Sequence, residues 1–111
     1  MGRLAVALGM GAMLAAATAA CGRPDDSIKV GYYGSMTGKE ATFGQSTYNG
    51  IKIAVDEINK GGGLNGKKIE IIPYDDKGDS KEAGSAVTRL IDSDRVVAVL
   101  GEGASSLSLA G

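Results

Sequence analysis

The sequence predicts an α/β fold in which a doubly wound parallel sheet carries helices on its faces. Three observations predict it. Between Ile28 and Gly111, short β-branched runs alternate with segments of helical periodicity, the pattern of βαβ units. The third run, Arg95–Leu100, is apolar without a break after its arginine, as expected of a strand buried on both faces. The connections are rich in glycine, of which the chain holds 18 in 111 residues. Crossovers in such units are right-handed, and in a common doubly wound arrangement the first strand lies between the second and the third. The expected strand order is therefore 2-1-3.

The N-terminus comes before any of this. Met1-Gly2-Arg3 places one positive charge ahead of the apolar, alanine-dominated stretch Leu4–Ala20, and small residues precede Cys21. That is the layout of a secretory signal peptide over residues 1–20. The stretch is short and weakly apolar for a membrane span, which takes about 20 strongly apolar residues. Thr18-Ala19-Ala20-Cys21 resembles a bacterial lipobox, where the signal is cut before the cysteine and its sulfur takes a diacylglycerol. Thr18 stands where leucine is usual. The alternative is an ordinary cut after Ala17-Thr18-Ala19. With Cys21 lipidated, residues 21–27 become a short polar tether, and the protein is held to a membrane from outside.

Ile28–Tyr33 is β-branched and aromatic and reads as the central strand. Gly34–Gly44 is its loop, opening at the carboxyl end of the sheet, where ligands bind in such folds. A helix is expected from about Gln45 to Lys60, with Tyr48, Ile51, Val55 and Ile58 on one face and Thr42, Ser46 or Thr47 as its cap. Gly61-Gly62-Gly63 ends it. Lys68–Tyr74 is the second strand, and Pro73, which cannot donate to a ladder, places it at an edge. Asp79 with Glu82 reads as a capping box opening a helix to about Asp92, with Ala83, Ala86, Val87 and Leu90 inward. Gly84 inside it either permits close packing on the sheet or is tolerated. Ser105–Ala110 opens a third helix. Too little of it precedes Gly111 to cover the third strand, so the sequence is expected to be part of something longer.

Composition excludes several functions. The net charge is −1, with no basic cluster and no aromatic stacking series, which argues against a nucleic-acid partner. There is no histidine, so the commonest metal ligand and general base is missing, and no Ser/His or Cys/His pair can form. Cys21 is the only cysteine, which rules out an intramolecular disulfide. Gly34–Glu40 has one residue too few for a phosphate loop, and Glu40 stands where Ser or Thr would hold magnesium. In Gly101-Glu102-Gly103 the third glycine of a dinucleotide fingerprint is replaced by Ser106. Asp75, Asp76 and Asp79 lack the spacing and terminal Glu of a calcium loop and read as a turn plus a cap. No enzyme, metal or cofactor is expected.

Three residues stand out as ligand contacts. Ser105 and Ser106 fall after the third strand, where backbone N–H groups face the crevice and a hydroxyl adds a further donor. The alternative is that Ser105 only caps its helix. Phe43, the sole phenylalanine, sits in a polar stretch, where its ring either walls an apolar pocket or packs beneath its loop. Tyr32 and Tyr33 point to opposite faces of their strand and read as core.

Taken together, IKVGYYGSMTGKEATFGQSTYNGIKIAVDEIN, GGLNGKKIEIIPYDDKGD and VVAVLGEGASSLSLAG resemble the periplasmic leucine/isoleucine/valine-binding proteins, the substrate-binding components of branched-chain amino acid ABC transporters. The resemblance covers nearly all of Ile28–Gly111. It implies that residues 28–111 are the N-terminal part of the first lobe of a two-lobed type I periplasmic binding protein. It implies that the Ser105 hydroxyl and nearby backbone hold the α-carboxylate of an amino acid, with Ser106 as a second contact, and that Phe43 lines the side-chain pocket. It also implies an exported monomer, working in the periplasm or cell envelope with an inner-membrane ABC permease. Members of the family bind branched-chain and other amino acids, amides, urea and aromatic acids. A sensor ectodomain of the same fold, an α/β enzyme and a truncated remnant without function are the competing readings. The missing histidine and the broken phosphate motifs weigh against the enzyme.

Overall fold

A computed structural model describes residues 26–111 of the protein. The expected signal peptide, Cys21 and the tether up to residue 25 lie outside the described residues. The order of elements is β1 (Ile28–Gly34), α1 (Ala41–Lys60), β2 (Ile69–Asp75), α2 (Ser80–Asp92), β3 (Ala98–Leu100) and α3 (Ser105–Ala110). The three strands form one parallel sheet in the order β2-β1-β3, as expected. β1 runs alongside β2 from Ile28 opposite Ile69 to Gly34 opposite Asp75, and alongside β3 from Val30 opposite Ala98 to Tyr32 opposite Leu100. Pro73 therefore sits on an outer strand of this sheet.

The two tyrosines of β1 divide the fold. Tyr32 stacks on Tyr48 of α1, with ring centroids 5.6 Å apart and planes 8° from parallel. Tyr33 points the other way and is buried with Ala83, Ala86 and Leu90 of α2 and Leu107 of α3. Alternation along the strand thus puts α1 on one face and α2 and α3 on the other. The α2 face is the expected one, with Val87 packed against it. A Cβ on Gly31 would lie 2.7 Å from both methyl carbons of Leu90, so the strand glycine lets α2 approach. Gly84 borders α3 instead of the sheet; a Cβ there would make only an ordinary contact, 3.5 Å from the Ala110 carbonyl oxygen.

Four expectations are corrected. α1 starts at Ala41, not Gln45, and its N-cap is Glu40 with no side-chain cap bond, so Thr42, Ser46 and Thr47 do not cap it. The cause is Gly44, which brings the first helical turn against the Ser35 backbone and leaves only Ser35–Glu40 between β1 and the helix. Ile58, expected on the inner face, is 42% exposed. Asn59 turns inward in its place, its amide donating to the Ile69 carbonyl and accepting from the Ile69 N–H, both at 2.8 Å. The box at α2 is half formed: Asp79 accepts from Lys81 and Glu82 N–H, while its own N–H goes to the Asp76 carbonyl. β3 covers only Ala98–Leu100 and is not buried on both faces, with Val97 73% and Leu100 41% exposed. Arg95 has a φ of 55°, which breaks the extended run, and among the described residues β3 pairs on one side only. No helix among the described residues is long and apolar enough to cross a membrane.

Candidate functional site

The carboxyl ends of all three strands are tied together, and β1 supplies the knot. Its loop begins at Ser35, which is fully buried. From the β2 side, Asp75 accepts the N–H of Met36 at 2.9 Å, the N–H of Thr37 at 3.3 Å and the Thr37 hydroxyl at 2.6 Å. Asp75 also accepts the N–H of Lys77 at 2.9 Å, closing its own turn. Its neighbour Asp76, also fully buried, lies 2.8 Å from the Ser35 hydroxyl and accepts the Gly78 N–H at 2.9 Å. From the β3 side, Glu102 accepts the Ser35 N–H at 3.0 Å and lies 3.0 Å from its hydroxyl. The second oxygen of Glu102 takes the Ala104 N–H at 2.6 Å.

These bonds set the protonation of the two outer carboxylates. Partial burial pushes Asp75 up, but the Thr37 hydroxyl and the N–H groups of Lys77, Met36 and Thr37 outweigh it and hold the carboxyl below its ordinary value. Glu102 behaves alike: burial raises it, and donation from Ala104 N–H and from Ser35 N–H and O–H brings it below the usual glutamate range. Burial, then the charges of Glu102 and Asp76, push the Tyr32 phenol up, so it stays a donor. It donates to the Gly44 carbonyl at 2.9 Å.

Between the loops after β1 and β3 opens a cavity of about 340 Å³ lined by Tyr32, Glu40, Phe43, Gly44, Thr47, Glu102, Gly103 and Ala104. That volume suits a small molecule. Phe43 is on the first turn of α1 instead of in a loop, and its ring is 73% exposed at the rim. On the opposite wall, Gly103 and Ala104 lead directly into Ser105 and Ser106, which open α3 and are exposed. Ser105 does not cap that helix: Ala104 is its N-cap, and no side chain makes a cap bond there. The wall is apolar along Phe43, Gly44 and Ala104, and acidic at Glu40 and Glu102. Among the described residues no group of three or more His, Cys, Asp or Glu is arranged to hold a metal ion.

Reading residues by motif passed over Ser35, Asp75 and Glu102. In the sequence Glu102 falls inside a broken dinucleotide fingerprint, and Asp75 inside a run that reads as a turn plus a cap. A charged residue between two glycines at a strand end was the available signal.

A profile for periplasmic binding proteins matches residues 27–111. An "amino acid binding protein" of Pseudomonas aeruginosa is 37% identical over 82 residues, which are 74% of this chain and 22% of that protein. The "Leu/Ile/Val-binding protein" of Escherichia coli is 36% identical over 81 residues, 73% of this chain and 22% of that protein. Among solved structures, the branched-chain amino acid transporter substrate-binding protein LivJ of Streptococcus pneumoniae, in complex with isoleucine, superposes with a TM-score of 0.74 at 38% identity. The match covers 76% of this chain and 24% of that one. The chain thus spans about a quarter of the length of the relatives it matches.

Proposed function

This chain belongs to the periplasmic binding protein family, and from that membership we propose that it is first-lobe sequence of the substrate-binding component of an ABC importer for a branched-chain or related amino acid. Members of this family are binding proteins, not enzymes, and work in the periplasm. The observation that carries the reading is the cavity between Phe43 on α1 and Gly103-Ala104 before α3. It lies at the carboxyl ends of β1 and β3, where open α/β sheets bind ligands.

Phe43 lines this cavity, and Ser105 and Ser106 follow directly on its Gly103-Ala104 wall, outside the lining itself. Phe43 offers an exposed aromatic face to an apolar side chain. The hydroxyl of Ser105, with Ser106 beside it, donates to the α-carboxylate. A second lobe would supply the partner for the ammonium group and close over the ligand. Residues 28–111 form the first-lobe part, residues 1–20 the signal peptide, and residues 21–27 the tether behind a lipidated Cys21. The tether's last two residues are already drawn toward the β2 end: Asp26 pairs with Lys67 at 2.9 Å and the Ser27 hydroxyl donates to Glu70 at 3.0 Å. The holoprotein works as an envelope-anchored monomer that delivers its ligand to an inner-membrane permease.

The test is calorimetric titration of the native protein, recovered from its membrane in detergent, with leucine, isoleucine and valine. Saturable binding that Phe43→Ala and Ser105→Ala each weaken is expected. Absence of heat with all three amino acids would refute the reading. Intact mass of the same sample decides the anchor, which requires acyl chains on Cys21.

A further inference from the structure

We propose that Glu102 is the positioning residue of this site: its carboxylate fastens the loop after β3 to the loop after β1 and so sets the gap between Ala104 and Phe43. The consequence for a ligand rests on the binding-protein reading above; the brace itself does not.

The geometry is that of a two-ended clamp. One oxygen of Glu102 takes the N–H of Ser35 and lies at hydrogen-bond distance from its hydroxyl, both at 3.0 Å, and the other takes the N–H of Ala104 at 2.6 Å. The anchor end is enclosed: Ser35 is fully buried, and its hydroxyl also lies 2.8 Å from Asp76. The far end holds Ala104, the N-cap of α3 and part of the cavity wall. The Glu102 carbonyl in turn accepts the Ser108 hydroxyl at 2.7 Å, which fixes the loop to the helix it enters. A brace is needed because α3 has no side-chain cap bond of its own to orient its start.

Only a carboxylate serves this place. Two backbone N–H groups from different loops approach two different oxygens. A carboxamide keeps one acceptor oxygen and presents its NH₂ to the other N–H, so one tie is lost and replaced by a donor–donor contact. The titratable groups around Glu102 are Asp76 across Ser35, the Tyr32 phenol on β1 and Glu40 at the N-cap of α1, across the cavity. None is cationic, so hydrogen bonds alone hold the charge in place. A glutamate held below its ordinary value contributes stability above that value, and the contribution is lost as pH falls through the lowered one.

The test is amide NMR on this chain. In the unmodified protein, the Ser35 and Ala104 N–H resonances should move together on acidification, with one shared midpoint below the ordinary glutamate range. Glu102→Gln should speed hydrogen exchange at one or both of these amides by about tenfold or more, leaving the Leu90 amide in α2 unchanged. Separate midpoints for the two amides, or full protection of both in Glu102→Gln, would overturn the brace. In the native protein, Glu102→Gln should weaken leucine binding by about tenfold, the cost of losing one charge-assisted bond that shapes the wall. Unchanged leucine affinity would overturn the positioning role. A native protein that binds no leucine before substitution fails the transport reading instead, and the amide data still decide the brace.

Discussion

Gly44→Ala should destabilise this protein although it replaces a helical glycine with the best helix former. Gly44 lies in the first turn of α1, and a Cβ there would fall 2.1 Å from the Ser35 carbonyl oxygen and 2.5 Å from its carbon. An unstrained carbon–oxygen contact is about 3.3 Å, so the helix start would have to retreat by roughly 1 Å. The atoms it meets are backbone, held by Asp76 and Glu102 through Ser35, and they cannot swing aside. Overpacking of this kind costs about 1–3 kcal/mol. Retreat also stretches the 2.9 Å bond from Tyr32 to the Gly44 carbonyl, which is worth about 1 kcal/mol. The gain in helix propensity is about 1 kcal/mol. The sum is a loss of about 1–3 kcal/mol. Gly50, in the same helix, supplies the control, because a Cβ there meets nothing within 4 Å. Gly50→Ala should therefore stabilise by up to about 1 kcal/mol. Urea unfolding followed by far-ultraviolet circular dichroism reads both, provided the slopes agree. A midpoint for Gly44→Ala equal to or above that of the unmodified protein would refute the close approach of α1 to β1, and with it the placement of Phe43.

Two further substitutions test the framework beneath the site. Leu90→Ala removes a fully buried side chain from the cluster around Tyr33, and should lower stability by about 2–5 kcal/mol in the same urea assay. A loss below about 1 kcal/mol would mean that α2 does not seat on Gly31 as described. Asp79→Ala leaves the Lys81 and Glu82 N–H groups without their acceptor and should cost about 1 kcal/mol, with Asp79→Asn recovering most of it.

Much of the scaffold was legible because its causes are local. The α2 face follows from side chains three and four residues apart, and the Asp79 cap from one residue and the two N–H groups next to it. The edge position of β2 was readable from Pro73, and the alternation of elements carried the order β2-β1-β3. Phe43 was conspicuous as the only phenylalanine, set in a polar stretch, and it does line the cavity. Tertiary contacts decided the remainder. The start of α1 depends on Gly44 meeting Ser35, which no helical periodicity encodes. Asn59 displaced Ile58 from the inner face because the first N–H and carbonyl of β2 needed partners, and an amide supplies both. β3 lost its expected burial because cover comes from neighbouring elements and not from a strand's own composition. The knot of Ser35, Asp76 and Glu102 was the least legible part. Its members lie 41 and 67 residues apart in the chain, and hydrogen bonds at that range leave no pattern in a sequence until the sheet brings the three strand ends together.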